Sequence, residues 1–224
     1  MAFTVGDIMR EAQAILNDSN SVRWTLPELL KWVNNAQLEI VQTYPTAFAS
    51  VEDIDLVAGV DQDLGASYYA LMEIRGNADG TGRVTKLERH ILDSQIGAWR
   101  DPAVLPRTAG VVHYVHDPKI SRKSFMVCPG NDGTGSVTAL VAVAPTIIAA
   151  PANPLSIDSY DALTIAIGDE YHPVILDYVL YRAFQKDANM PNSSQRAAQH
   201  LGQFQRALGV EAANNEAAEQ IGKV

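Results

Sequence analysis

The feature that most narrows the fold is a change of hydrophobic period part-way along the chain, followed by a change back. Apolar residues recur at helical spacing towards both ends, whereas residues 45–168 carry only short β-prone runs cut by Gly, Pro and Asp. Helices and strands bury their side chains with different periodicities, so such a chain has to segregate two kinds of packing. At the start, Thr4 can cap a helix with Asp7 in its first turn and Ile8, Ala12, Ile15 and Leu16 at helical spacing. Thr25 and Glu28 make a capping-box pattern around Pro27, and Leu26, Leu29, Leu30, Val33, Ala36, Ile40 and Val41 predict a helix that runs to about Tyr44. Leu38 points away from that stripe and Trp32 lies on its edge, which makes both candidates for contact with a neighbour.

In the middle, β-prone runs are expected at Val51–Val57, Leu71–Ile74, Arg83–Leu87, Val111–His116, Ser124–Cys128 and Val137–Val143, with a short helix near His90–Gly97. Asp79-Gly-Thr-Gly82 and Asp132-Gly-Thr-Gly135 repeat the same four residues between such runs, and both read as hairpin tips. Helical spacing returns at His172–Asp187, apolar around most of its circumference, with Pro173 in the first turn. A last helix starts at Ser193 or Ser194, buries Ala197, Ala198, Leu201, Phe204 and Leu208, and is expected to stop at Gly209. The organisation predicted is a first helical part over 1–44, an inserted β domain over 45–168, a second helical part over 169–209 and an extended C-terminal tail over 210–224. The fold class is therefore α+β: a helical bundle formed from the N- and C-terminal helices, with an inserted antiparallel β domain, barrel or sandwich.

Charge and composition restrict function further. Of the net −9, residues 45–170 supply −7, with 16 acidic and 9 basic side chains, and no basic run occurs anywhere. Tight grip on phosphate needs clustered cations, so a nucleic-acid clamp is disfavoured. No stretch approaches the roughly 20 apolar residues of a membrane span, so a soluble chain made in the cytoplasm and without membrane contact is expected. The single cysteine, Cys128, sits in a strand-like run and reads as a small buried hydrophobe.

Patterns that would carry chemistry are sparse. His113, His116 and Asp117 come closest to a metal site, but strand residues three apart face opposite sides, so no metal is expected there. Gly135-Ser-Val137 lacks the closing glycine of a nucleophile elbow, and Asn131–Gly135 lacks the lysine of a phosphate loop. No catalytic, metal or cofactor residue is assigned. A small hydrolase using His113, His116 or His172 with nearby acids stays open as a rival class, and it predicts a pocket in which these groups converge. A carbohydrate-binding β module is another, and it would require Tyr68, Tyr69, Tyr114 and Tyr160 to share a face.

Val22-Arg-Trp-Thr-Leu-Pro-Glu-Leu-Leu-Lys-Trp-Val-Asn-Asn-Ala-Gln-Leu-Glu-Ile40 resembles the first long helix of a family of bacteriophage head-to-tail adaptor proteins. Leu56-Val-Ala-Gly59 with a following strand, and then Leu176–Ala188, are similar to the same family in the same order, so the likeness spans roughly residues 5–209. It is greatest to the adaptors of short-tailed phages, the tail tubular protein A type. The resemblance implies a structural virion protein that assembles with itself into a ring of about a dozen copies, binds the portal protein and the tail nozzle, and lets DNA pass through its channel without tight binding. Another neck or tail-completion protein is the rival within that class. On this reading Glu52, Asp53, Asp55, Asp61 and Asp63 are candidate channel- or tail-facing acids. Trp32, Leu38, Val210, Ile221 and Val224 are candidate interface residues, the tail being expected to order against the portal.

Overall fold

The computed structural model describes residues 3–187 and 191–221, the side chains of 210–221 excepted, and divides into two compact units. One comprises residues up to Ala47 together with those from Pro145 onwards; the other is Phe48–Ala144. The first unit is helical. Helix α1 (Val5–Leu16) opens on the capping box expected of Thr4: the Asp7 N–H donates to Thr4 Oγ1 at 3.1 Å, and the Thr4 N–H donates to the Asp7 carboxylate at 2.9 Å. Helix α2 (Leu26–Thr43) starts at Thr25 without a side-chain cap: the Glu28 N–H donates to the Thr25 carbonyl at 3.0 Å, and the Glu28 carboxylate, which should have completed the box, is taken by Lys186 Nζ at 2.6 Å. Helix α3 (Arg89–Gln95) belongs to the other unit, and α4 (His172–Lys186) and α5 (Ser193–Ile221) complete this one. Helix α5 runs through Gly209 instead of stopping there, and residues 210–221, read as an extended tail, are helical. A glycine stop needs a left-handed backbone, and Gly209 does not adopt one.

Between α1 and α2 the chain turns on Asp18, whose carboxylate accepts from the backbone N–H groups of Val22, Arg23 and Trp24 at 3.0, 2.9 and 3.0 Å. Burial pushes this carboxyl up, but the N–H groups of Trp24, Val22 and Arg23 and the Arg23 charge more than offset it and hold the pKa below the ordinary aspartate value. The unfolded chain thus takes up the proton first as pH falls. Asp18 stabilises fully above the ordinary carboxylate range, and that contribution is lost as pH drops through its lowered value. We expect Asp18→Asn to lower stability at pH 7 and to flatten the acid limb of a stability–pH profile between about pH 4 and 2. An unchanged acid limb in urea titrations would remove this role.

The β unit is a two-sheet sandwich. Strands β1 (Ala49–Asp55), β3 (Tyr68–Asn77) and β7 (Ser136–Val143) form one sheet in the order β1-β7-β3. Strands β2 (Gly59–Asp63), β4 (Thr85–Lys86), β5 (His113–Val115) and β6 (Ser124–Asn131) form the other in the order β2-β6-β5-β4. All strand pairs are antiparallel except β4 with β5. Ile54, Leu71, Ile74, Val137 and Val141 of the first sheet pack on Tyr114, Phe125 and Val127 of the second. The second sheet is apolar on both faces: Val60, Val115 and Cys128 lie in a separate cluster with Leu92 of α3 and Trp99. Burial there also raises the Cys128 thiol pKa, as suits an inert packing residue.

Two expectations are corrected here. Residues 145–168, assigned from sequence to the β insertion, group with the helices: Val5 N–H donates to Leu163 O at 2.8 Å and Ala166 N–H to Gln37 Oε1 at 2.6 Å. The Asp-Gly-Thr-Gly turns are not tips between paired strands. Each carries the chain from one sheet to the other, β3 to β4 and β6 to β7, with only a bridge between Gly76 and Arg83 across the first. The hydrogen bonds from threonine to aspartate are nevertheless the same in both. Asp79 accepts from Thr81 N–H and Oγ1 at 2.9 and 2.6 Å, and Asp132 from Thr134 N–H and Oγ1 at 2.9 and 2.7 Å, with Gly80 and Gly133 at positive φ.

Candidate functional site

The five acids do not form one cluster. Asp53 and Asp55 alternate outward along β1, an edge strand, where their charge discourages another strand from pairing. Asp53 accepts from Thr138 Oγ1 of β7 at 2.6 Å. Glu52 lies on the opposite face of β1, beside Ser50, whose hydroxyl donates to it at 2.7 Å. Asp61 and Asp63 are on the other sheet: Asp61 pairs with Arg100 at 2.8 Å, and Asp63 accepts from Ser124 Oγ at 2.7 Å.

The histidines do not converge either. His113 and His116 belong to the β unit and His172 to the helical unit. His116 Nδ1 lies 3.1 Å from Ser124 O, and burial lowers its pKa. His172 stacks on Phe3 with ring centroids 4.1 Å apart and sits 3.7 Å from Glu11. Asp177 meets His200 Nδ1 at 2.8 Å, joining α4 to α5. Among the described residues no group of three or more His, Cys, Asp or Glu is placed to hold a metal ion. Tyr114 and Tyr160 are buried in separate units, which removes the shared aromatic face a carbohydrate module would need.

Trp32 is 5% exposed and belongs to the core of the helical unit, so it is withdrawn from the candidate interface. Leu38 is 43% exposed. The side chains of Val210 and Ile221, and Val224 as a whole, lie outside the described residues. Leu38 lines an open groove of about 440 Å³ along α2, walled by Leu30, Lys31 and Gln37 on one side and by Pro145 and Ile147 on the other. Asn34 holds the far wall in place: its Nδ2 donates to Ile148 O at 3.0 Å, and its Oδ1 accepts from Ile148 N–H at 2.9 Å. This amide stands in for a strand partner and satisfies backbone that has no ladder. The same device recurs where Asn77 brackets Val111, Gln62 brackets Val57, and Asn131 holds Thr108 and Ala109.

These brackets escaped the sequence reading, although a signal was present for one groove residue. Gln37 falls on the Val33–Val41 stripe of α2, and a polar residue at a core position asks for a partner. We expect Asn34→Ala to lower stability by about 1–2 kcal/mol, since two backbone groups lose their partners. A change below about 0.3 kcal/mol in urea unfolding would show that solvent replaces the amide without cost.

The described residues thus offer an open groove on α2 and outward carboxylates on β1. A family model, SU10 adaptor protein, matches residues 3–222, and the chain belongs to that family of phage structural adaptors, which is not an enzyme class. No curated protein matches the chain. Among the described residues no helix is long and apolar enough to cross a membrane.

Proposed function

We propose that this adaptor is the subunit of a ring at the portal–tail junction of the virion, in the manner of short-tailed phages. There it binds the portal on one side and the tail nozzle on the other, and extends the channel through which DNA leaves. The observation that carries this reading is the extent of the family match: residues 3–222 include both the helical unit and the β unit. Closed rings use two different patches on each copy, and a chain with an apolar groove on α2 and acids on a β sandwich has distinct surfaces to offer.

Some of Glu52, Asp53, Asp55, Asp61 and Asp63 face the channel or the tail in this proposal. Acidic walls repel phosphate and so avoid the salt-dependent contacts that would hold DNA back. Asp53 and Asp55 suit that role best, since Asp61 is already paired with Arg100. The test is quantitative mass spectrometry of purified, DNA-filled particles encoding this chain, with its copies counted against the portal subunit. About a dozen copies per particle are expected. Absence from particles would overturn the proposal.

A further inference from the structure

The connection from β5 to β6, residues 116–123, fastens the two sheets of the β unit to one another. Its Arg122 carbonyl accepts from the Leu71 N–H of β3, in the other sheet, at 2.8 Å. The Arg122 guanidinium lies 5.1 Å from the centre of the Tyr69 ring on that same strand. Next to it, the Lys123 carbonyl accepts at 3.3 Å from the N–H of Leu64, on the segment that leads from β2 to β3.

His116 joins the two ends of this connection. The residue is 6% exposed, and its Nδ1 lies 3.1 Å from the carbonyl oxygen of Ser124, where β6 begins. A carbonyl can only accept, so Nδ1 carries the proton and Nε2 is bare; Nε2 has no partner among the described residues. A second proton would put a full charge into the interior. Burial opposes that charge most; the Ser124 backbone favours it, Lys86 of β4 opposes it, and the Leu71 backbone and Asp117 favour it less. The net effect holds the ring below the ordinary imidazole pKa. Asp61, Glu88 and Arg89 are the other charged groups on the cavity of about 250 Å³ that His116 borders.

We infer that the β5–β6 connection is a proton-operated clasp: a neutral His116 keeps it closed from sheet to sheet, and a protonated ring leaves its site and releases it. Because the ring ties the entry of the connection to its exit, losing it loosens both ends at once. Strand β3 is an edge strand, so opening leaves the Leu71 N–H and the Tyr69 ring without the partners that the closed clasp supplies. The released ring titrates as a free imidazole near about pH 6.5, and the closed one lower. The closed state therefore has its full advantage above about pH 6.5 and loses it as pH falls below that value.

Hydrogen–deuterium exchange of the full chain at about pH 7.5 and about pH 5, corrected for the intrinsic pH dependence of amide exchange, tests the clasp. The Leu64 and Leu71 amides should open several-fold more often at the lower pH. The ceiling is about thirtyfold, set by how much more proton a free imidazole binds there. Amides paired between β1 and β7 should keep their protection. In His116→Asn, which keeps a donor for the Ser124 carbonyl but cannot be protonated, the acid response at Leu64 and Leu71 should vanish. No acid response in the parent, a response shared equally by the β1–β7 pairs, or one that persists in His116→Asn would overturn the clasp. If that variant does not fold, proton NMR of the parent decides: the His116 ring must titrate below a free imidazole, and a midpoint at or above it overturns the proposal.

Discussion

Replacing Trp99 with alanine is expected to lower the stability of the β unit by about 3–5 kcal/mol. The indole is 2% exposed and packs with Leu92, Val115 and Cys128 over the face of the four-stranded sheet that points away from the sandwich interior. Its Nε1 also donates to Asp93 at 2.8 Å, which ties the residues after α3 back to that helix. Truncation therefore removes apolar burial and the anchor of the covering segment together. Trp99→Phe retains most of the volume and loses only the hydrogen bond, so it should cost much less, about 1–2 kcal/mol. Urea unfolding followed by circular dichroism separates the two variants. Equal losses would mean that the hydrogen bond, and not the covering of the sheet, is what matters.

Gly135→Ala should be nearly as damaging, at about 3 kcal/mol, although it adds a single methyl group. A Cβ at this position would stand 1.9 Å from Ala109 O and 2.5 Å from Asn131 Nδ2. The obstacle is backbone, and Asn131 cannot yield without releasing Ala109, which its Nδ2 holds at 2.9 Å. Gly65→Ala is the natural control, because a Cβ there meets nothing within 4 Å. We expect its melting temperature to stay close to that of the parent while Gly135→Ala melts several degrees lower. Parallel behaviour of the two variants would show that the 108–110 segment moves aside freely.

Local signals in the sequence translated well where neighbours in the chain decide the outcome. The Thr4–Asp7 box, the helix entered at Pro173 and the repeated Asp-Gly-Thr-Gly turns form as their residues dictate. Failures came where a distant residue competes. Glu28 leaves its capping box for Lys186, 158 positions away, and nothing near Thr25 announces this. The two repeated turns make the same hydrogen bonds from threonine to aspartate, but strand partners are chosen across the sandwich, so neither turn joins paired strands. Trp32 lies on the edge of the α2 stripe, and how wide a stripe is buried depends on what packs against it. For the candidate surface, Leu38 was legible because it breaks the helical period. The groove beside it was not, because its other wall is an irregular segment held by a side-chain amide.

The brackets made by Asn34, Gln62, Asn77 and Asn131 differ from ion pairs in their response to ionic strength. A neutral amide has no counterion atmosphere to gain or lose, so dissolved salt does not weaken it, whereas exposed pairs such as Arg10–Asp161 and Arg100–Asp61 are screened. The irregular segments of this protein are thus fastened in a way that tolerates concentrated electrolyte, while the charges that salt can silence lie on its surface, where they are free to govern which molecules approach.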